Sequence, residues 1–568
     1  MIGVYVPGRP FLAEGPAELP DVLAAQGRPI ILARIFLDSG TENVSDIGVR
    51  HPTRYYEARV MQWGSVTRAV PQPAGLPQIS DGRIRIADTD FKFRDLFAET
   101  SPEQTPLERL IELRVVRENQ PESYGVIVYT GEIVDFEFGD EYVELSFRDI
   151  TWSWLDEEFP GTMESGVYAP TVFGRCVQNA PVEQHGLIPL THIGFSVANG
   201  DRWIASKHTL NDITIHRHNL DGTWEEVNPS EYSVTEDDVL IGGIAYTGTY
   251  IDFTNEQDDG VEIRADIEGW NVRPAWGSLP AATGLLRNPI DLFINIILEA
   301  ETKLGKTLNC NEAAISALRT QVQTIIDTSP ARSHFCDGAI LEPITFRSLL
   351  SRFVQSFTYD LFQDVHGQIN LEVVTPSESS TPITETLNII ERSFVQRLPS
   401  PINRFKCKMA RSYADGTWSI EQIHDNTADQ FTLGVVSSPT AAKITATDLE
   451  MWFVRERFTA ADAAARRAGF TTLKSNSQEF TLTLDDASLL ELCGDIALTI
   501  RYGLKTGGFV GEVARVEGIT LDLDSWSARI KSRIWREQER TDPSFTVYEL
   551  DASVTMTYAM DAELYESL

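Results

Sequence analysis

One alternating pattern occurs twice in this chain, about 380 residues apart, and it restricts the fold more than any other feature. In the first occurrence, residues 131–148, apolar and polar side chains alternate on both sides of Gly139-Asp140. The second, residues 511–535, turns near Gly518 or near Asp524-Ser525, and both occurrences open with Gly-Glu followed by Ile or Val. A period of two on both sides of a tight turn is typical of antiparallel strands with one solvated face.

The segments that precede the two hairpins also correspond. Each hairpin follows a predicted strand, a short helical piece and a second strand, at 82–86, 105–110 and 111–116 in the first case and at 479–484, 486–491 and 496–500 in the second. The same order of elements predicts a duplicated β domain. The alternative, a coincidence of two common hairpins, stays open at this point.

Length and charge limit the possible functions. A chain of 568 residues is too long for one hydrophobic core, so several domains are expected. The 83 acidic residues outnumber the 48 basic ones and give a net charge of −35. This charge argues against nucleic acid as a tightly held ligand and against anionic membrane surfaces. It allows nucleic acid to pass the surface without binding.

The chain shows no signal for export or for membrane insertion. The segment Met1–Gly8 lacks a basic region and a long apolar stretch, and the best apolar run, 290–298, is about half a membrane span. The five cysteines are scattered and no pair has metal-ligand spacing. We predict reduced, mostly buried thiols in a protein made in a cytoplasm.

Changes in periodicity divide the chain and predict a mainly β, multidomain α+β protein. Helical periodicity begins at the caps Asn288, Asn311 and Thr345, and a further helix is predicted at 459–468. The predicted units are an N-terminal arm at 1–27, a first β domain at 28–157, an inserted all-β domain at 158–288, a small α/β domain plus linker at 289–400, a second β domain at 401–538 and a C-terminal arm at 539–568.

Residue groups with catalytic or metal-binding spacing are few. Metal ligation could use His216 with His218, or His334 with Cys336, and paired carboxylates occur at Asp88 with Asp90 and at 156–158. In a chain this acidic, such pairs arise without function. We predict no catalytic, cofactor or metal residues, no cofactor, and no enzyme activity.

The eleven tryptophans suggest a second interpretation of the sequence. Pairs such as Trp203 and Trp224 could stack on carbohydrate, although such residues more often fill β cores and interfaces.

Three phrases resemble segments of the tail hub, or baseplate hub, of tailed bacteriophages and related gene transfer agents. They are Pro170–Pro181, with Val-Phe-Gly-Arg inside it, Gly260–Gly269, with Ile-Arg-Ala-Asp-Ile, and Leu492–Leu498, with Gly-Asp-Ile. Their order, together with the order of predicted domains, spans residues 28–536. Cys176 and Cys493 depart from the family pattern, and the residues after 541 match nothing in it.

The resemblance implies two tube-like β-barrel domains and a structural role. Such a hub is a homotrimer whose six tube-like domains form a pseudo-six-fold ring. The ring joins the hexameric tail tube or distal tail ring to three-fold tip components and forms the channel for DNA ejection. The implied partners are the distal tail or tube ring, a central fibre or spike and the tape measure, with DNA only in passage and no membrane insertion. The implied location is the virion tail tip, after assembly in the bacterial host cytoplasm.

Two sets of charged residues are candidates within that scheme. The acidic face of the first hairpin, Asp135, Glu137 and Glu144, could line the channel and repel DNA. The basic row of the second hairpin, Arg529, Lys531 and Arg533, could contact a neighbouring subunit. A receptor- or glycan-binding tail protein that uses 158–288 is the alternative function, and a tail-associated hydrolase is a third.

Overall fold

The computed structural model describes most of the chain and leaves out its two ends and several internal segments. The described residues are 29–37, 40–50, 54–70, 75–78, 81–98, 105–117, 125–149, 153–177, 188–196, 200–219, 222–257, 260–328, 334–373, 381–385, 388–390, 395–397, 402–413, 416–425, 444–471, 477–500, 509–534 and 546–548. The predicted arm at 1–27 lies outside them, and so does the predicted arm at 539–568 except for Thr546–Tyr548. No helix in the described part has the length and apolar character to span a membrane.

The first β region is one nine-stranded sheet with a short helix. Its elements are β1 Pro29–Leu37, β2 Gly40–Ser45, β3 Val49–Arg50, β4 Tyr55–Ala58, β5 Val60–Gln62, β6 Ser65–Ala69, β7 Asp81–Ala87, α1 Lys92–Ala98, β8 Leu110–Arg117, β9 Val126–Phe138 and β10 Tyr142–Arg148. The strand order is β3-β4-β2-β1-β8-β9-β10-β7-β5, and β6 leaves this sheet to pair elsewhere.

The inserted region is a β sandwich. Its strands are β11 Thr171–Phe173, β12 Arg175–Cys176, β13 Ile188–Pro189, β14 Thr191–Ser196, β15 Gly200–Ser206, β16 Leu210–His218, β17 Trp224–Glu226, β18 Tyr232–Ile241, β19 Ile244–Phe253, β20 Glu262–Trp270, β21 Val272–Arg273 and β22 Ala282–Thr283. A five-stranded sheet around β20 and a four-stranded sheet, β14-β15-β19-β18, share one core that includes Ile215, Ile251 and Ile263.

Three helices and a hairpin follow the insertion. They are α2 Pro289–Leu304, α3 Glu312–Thr328, β23 Gly338–Ile340, α4 Phe346–Phe357, β24 Tyr359–Gln363 and β25 Ile369–Val373. Three of the caps predicted from sequence are confirmed: the Asn288 side chain accepts from Ile290 N, Asn311 from Ala314 N and Thr345 from Ser348 N. Thr459, predicted to cap the helix at 459–468, lies inside a helix that begins at Arg457.

The last region carries the second copy of the hairpin. Its elements are β26 Thr381–Thr384, β27 Val395–Arg397, β28 Arg404–Arg411, β29 Trp418–Asp425, β30 Ala446–Glu450, α5 Arg457–Thr471, β31 Ser477–Thr483, α6 Leu484–Ala487, β32 Asp495–Ile500, β33 Phe509–Asp522, β34 Ser527–Ile534 and β35 Thr546–Tyr548. The strand order of the second copy's sheet is β26-β32-β33-β34-β31-β27, and β6 pairs with β33. A separate sheet has the order β30-β28-β29-β35.

The two hairpins belong to units with the same topology. In the first β unit, β7-α1-β8-β9-β10, the strands lie in the order β8-β9-β10-β7. In the second β unit, β31-α6-β32-β33-β34, they lie in the order β32-β33-β34-β31. Both hairpins carry a bulge on their long strand, at Val134 and at Glu517. The order of strands and helix is therefore the same in both units, as duplication predicts.

Two local predictions about these units were wrong. The helix of the first unit is Lys92–Ala98 rather than 105–110, because the Asp88 carboxylate accepts from the N–H groups of Phe93 and Arg94 and caps it. The Gly-Glu phrases are not equivalent: Gly131 pairs with Ile111 inside a ladder, whereas Gly511 has φ +63° and lies at a register shift.

Both β units contribute to a single hydrophobic core. Side chains of β7, β9 and β10 and those of β31, β33 and β34 belong to one buried cluster. Strand β5 pairs with β7 of the first unit, and the chain then bends so that β6 pairs with β33 of the second. The two sheets are thus linked side by side, and neither closes into a barrel by itself within the described strands. The mainly β, multidomain α+β fold class is confirmed, whereas the described strands do not close into the two tube-like β-barrels that the resemblance implies.

The remaining elements group differently from the predicted domain ranges. Strands β28 and β30 and helix α5 pack with α2, α4 and the β24-β25 hairpin in another core. Strands β28 and β30 and helix α5, predicted as part of the second β domain, therefore contribute to the core of the α/β region. Strand β26, predicted as linker, pairs in parallel with β32 of the second unit.

A buried ion pair attaches the insertion to helix α2. Lys207 is fully buried, and its Nζ donates to Glu299 Oε1 at 2.9 Å and to the Pro160 carbonyl at 2.8 Å. The Tyr246 hydroxyl donates to the other Glu299 oxygen at 2.9 Å, and the ammonium lies 4.3 Å from the Phe159 ring centre. Burial lowers the pKa of Lys207, and the adjacent carboxylate opposes that shift.

Candidate assembly site

The predicted acidic residues of the first hairpin share one solvated face. Asp135 and Glu137 are exposed on β9, and Glu144 lies directly across from Glu137 on β10. This face is not purely acidic, because Arg85 donates to the Glu144 carboxylate at 2.6 Å and Arg83 approaches it at 3.5 Å. The acidic excess of the face therefore rests on Asp135 and Glu137.

The predicted basic row of the second hairpin is also on a solvated face, and its members pair within the chain. Arg529 lies 3.5 Å from Glu479, and Lys531 lies 3.6 Å from Glu517. Arg533 donates to the same Glu517 carboxylate. Within one chain, these cations therefore already link β34 to β31 and to the bulge of β33.

The two solvated faces carry the same ion pair with its polarity reversed. When the hairpins are aligned at their bulges, Glu144 is equivalent to Arg529 and Arg83 to Glu479. Arg83 and Glu144 are 3.5 Å apart, and so are Glu479 and Arg529. The duplicated sheets have thus kept a cross-strand pair while exchanging its charges.

A joint between the two units is built at the tip of the second hairpin. Strand β6 pairs along β33 from Ser65↔Asp522 to Ala69↔Gly518. The Asp524 carboxylate accepts from the N–H groups of Trp63 and Gly64, at 2.9 and 3.3 Å, where the chain bends between β5 and β6. Gly64 has φ +69°, and an added Cβ would lie 2.7 Å from a carbonyl oxygen, so the bend needs glycine.

Sequence reasoning recognised the Asp524 turn but missed its partner. The two sides of this joint are more than 450 residues apart, and the pairing leaves no periodic signal. A repeated Val-x-Arg phrase in Ser65–Ala69 and Val395–Arg397 is the signal that could have pointed to related strands.

The residues considered for catalysis or metal binding have structural partners instead. Nε2 of His216 lies 3.3 Å from Asp266, His218 stacks on Trp224, and Nε2 of His334 lies 3.3 Å from Asp462. The other candidate carboxylates cap or pair: Asp88 caps α1, Asp90 binds Arg59 and Asp156 binds Arg347. Within the described residues no group of three or more His, Cys, Asp or Glu could hold a metal ion.

A polar cleft occurs at one end of the inserted sandwich. It has a volume of about 390 Å³, and its walls include Arg217, Glu231 and Gln257. The Arg217 guanidinium donates to Gln257 Oε1 at 3.1 Å and lies 3.4 Å from Glu231. Of the tryptophans considered for sugar stacking, Trp224 already has the guanidinium of Arg264 over its ring, 4.4 Å from the ring centre.

A buried arginine, surrounded by carboxylates, connects the second β unit to the α/β region. Arg515 of β33 donates to Asp360 of β24 at 2.9 Å, and Glu372 and Asp495 lie within 4.0 Å. Glu372 lies at the margin of this charged group with its side chain 48% exposed, and partial desolvation, together with the neighbouring carboxylates and against the pull of Arg515, raises its pKa to about 7. The four cysteines other than Cys310 are buried, and none forms a disulfide.

Comparisons with known proteins gave matches only among solved structures. No protein-family model matches the chain, and no curated protein matches it. The chain is similar to a 43 kDa tail protein of prophage MuSo2 from Shewanella oneidensis, with 10% identity, a TM-score of 0.37 and coverage of 89% of this chain and 97% of that one.

Two further matches are of the same kind. A tail protein from Neisseria meningitidis MC58 has 9% identity and a TM-score of 0.35, with coverage of 89% and 98%. A chain of the virion of a native gene transfer agent particle has 9% identity and a TM-score of 0.38, with coverage of 66% and 87%. These three similar structures are thus a prophage tail protein, a further tail protein and a chain of a gene transfer agent particle.

Proposed function

We propose that this chain is a structural protein of a phage tail and that it forms the hub of the tail tip as a homotrimer. The observation that carries the proposal is the pair of β units with one strand order, joined side by side in a single chain. Three such chains supply six similar units. A ring of this kind matches a hexameric tube or distal tail ring on one side and three-fold tip components on the other.

The proposal includes a channel for DNA through the ring. Asp135 and Glu137 would face the channel, and electrostatic fields extend about 8–10 Å at physiological salt. Carboxylates at that wall repel phosphates, so DNA passes without sticking. The net charge of −35 agrees with a surface that does not retain DNA.

Native mass spectrometry with electron microscopy tests the proposal. The expected species has a mass of about 190 kDa, three times the 63.4 kDa of the chain, and appears as a ring of six similar densities with three-fold symmetry. A closed dimer or tetramer would contradict the proposal, and so would a three-fold particle in which the two β units lie at different radii.

Receptor or glycan binding by the insertion is the second candidate function. The polar cleft beside Arg217, Glu231 and Gln257 favours it, because amide, carboxylate and guanidinium groups suit sugar hydroxyls. A glycan array with the full chain tests this role, with Glu231→Ala as the variant that should lose any signal. Equal binding by that variant would place the ligand elsewhere.

A further inference from the structure

The tip of the first hairpin has an open edge where the second hairpin has a covered one. Strand β8 pairs with β9 only as far as Glu132, and Ile133 exchanges hydrogen bonds with Glu108 and Arg109. Beyond the bulge, β9 residues 135–138 pair with β10 on one side, and no described strand continues the ladder on the other. The equivalent residues of the second unit, 518–521, are covered by β6.

Three exposed apolar side chains lie beside this open edge. Val134, at the bulge, is 38% exposed, and Leu107 and Leu110, on the segment that ends beside it, are 37% and 39% exposed. An uncovered strand edge flanked by exposed apolar side chains is a template for pairing with another strand. The N–H of Phe136 is held meanwhile by the Asp135 side chain, at 2.9 Å.

The chain carries a second strand of the kind that covers such an edge. Ile389 forms a β-bridge with Leu482 of the second unit, and Val60 pairs with Ile86 of the first unit. Leu482 and Ile86 are at equivalent positions of the two units, so Ile389 corresponds to Val60. At the same spacing after Val60 and Ile389 come Val66-Thr67-Arg68, in β6, and Val395-Gln396-Arg397, which is β27. Strand β27 is therefore the second unit's counterpart of β6. It lies at the edge of its sheet, with Val395 46% exposed.

Among the described strands these two edges are not paired with each other. Along the linked sheets the order is β9-β10-β7-β5, then β6-β33-β34-β31-β27, so the open edge of β9 and the edge strand β27 lie at opposite ends. A second copy of the chain can therefore supply a strand that covers β9 as β6 covers β33.

We propose that β27 of a second copy of this chain pairs in antiparallel fashion with residues 136–138 of β9. This inference rests on the proposed ring, and it identifies the contact between neighbouring subunits of that ring. The internal joint fixes the register, because Thr67 pairs with Thr520 and Val66 with Leu521. By equivalence Gln396 pairs with Glu137, Val395 with Phe138 and Arg397 with Phe136. The contact is head-to-tail, so it generates a closed ring when the rotation per chain is one third of a turn.

A pair of engineered cysteines tests the register directly. The hydroxyls of Thr67 and Thr520 are 3.2 Å apart, so side chains at the equivalent positions 396 and 137 should come within disulfide reach. The full chain with Glu137→Cys and Gln396→Cys is oxidised at high concentration and run on a non-reducing gel. We expect disulfide-linked species at about tenfold the level found for Val126→Cys with Gln396→Cys, because β8 already covers Val126 in its ladder.

Matched controls make each outcome decisive. Thr67→Cys with Thr520→Cys should form a disulfide within one chain and leave the mass unchanged, and each single cysteine variant measures the background of symmetric links through position 137 or position 396. Cross-linking of the 137–396 pair that stops at three chains supports the surface and the ring. Cross-linking that runs past three supports the surface and contradicts the trimer. If no link forms although microscopy shows the three-fold ring, the surface is wrong and the proposed function stands. If neither link nor ring appears, both are wrong.

Discussion

The substitution Lys207→Met tests how the insertion is held on helix α2. The methionine keeps most of the side-chain volume but removes the ammonium that contacts Glu299 and the Pro160 carbonyl. Removal of one member of a buried ion pair costs about 3–5 kcal/mol, since the other charge is left without compensation. Tyr246 still donates to Glu299, so we expect a loss near the lower end, about 3 kcal/mol.

Thermal unfolding followed by calorimetry measures this loss. For a cooperative unit of 150–250 residues, about 3 kcal/mol lowers Tm by about 6–12 °C. The double variant Lys207→Met with Glu299→Gln should recover part of the loss, because no buried charge is left unpaired.

A surface pair in the same region supplies the control. Lys303 lies 3.3 Å from Glu157, and both side chains are partly exposed. Exposed pairs contribute at most about 1 kcal/mol, so Lys303→Met should shift Tm only slightly. The reasoning is refuted if Lys207→Met behaves like Lys303→Met, or if the double variant is as unstable as Lys207→Met alone.

Three further predictions concern the β units and their attachment. Asp135→Lys with Glu137→Lys should slow DNA ejection from assembled particles, and ejection at the original rate would contradict a channel position for this face. Asp524→Ala should cost about 1–3 kcal/mol by freeing two backbone N–H groups and should speed amide exchange at Trp63, whereas unchanged exchange there would show that the joint does not depend on this carboxylate. Glu372 has a pKa of about 7 in the folded chain and about 4.5 in the unfolded chain, so the stability that this group contributes falls as pH rises through that window. Glu372→Gln should flatten this part of the curve of unfolding free energy against pH, and an identical curve would count against the raised pKa.

Local signals in the sequence predicted most of the elements that they should control. Asn288 and Thr345 cap their helices because a short polar side chain can accept from an N–H two or three residues later. The turn at Gly139-Asp140 is where alternation predicted it. Of the two turns predicted for the second hairpin, the one at Asp524-Ser525 is confirmed, and Gly518 lies inside β33 next to its bulge. The repeated order of elements, which depends on several such signals, was therefore visible without a structure.

The failures arise where distant contacts outweigh local preference. Pro106, Leu107 and Leu110 have helical spacing, but Glu108 adopts φ +60° and both Glu108 and Arg109 bond to Ile133 across the sheet. The helix forms instead at Lys92–Ala98, where Phe93 and Phe97 reach the core. The pairing of β6 with β33 and the packing of β28, β30 and α5 against α2 and α4 are contacts between segments far apart in sequence, and no pattern within either segment encodes them.

The exchange of charges between the two duplicated faces has a consequence for evolution. In a hexamer of identical subunits every surface position repeats six times, so a mutation that introduces one charge adds six like charges around the axis. Fusion of two domains into one gene releases that constraint, because neighbouring domains can then diverge. The pair Arg83–Glu144 and its inverted counterpart Glu479–Arg529 have the arrangement that such divergence would leave, with opposite charges at equivalent positions and the attraction retained.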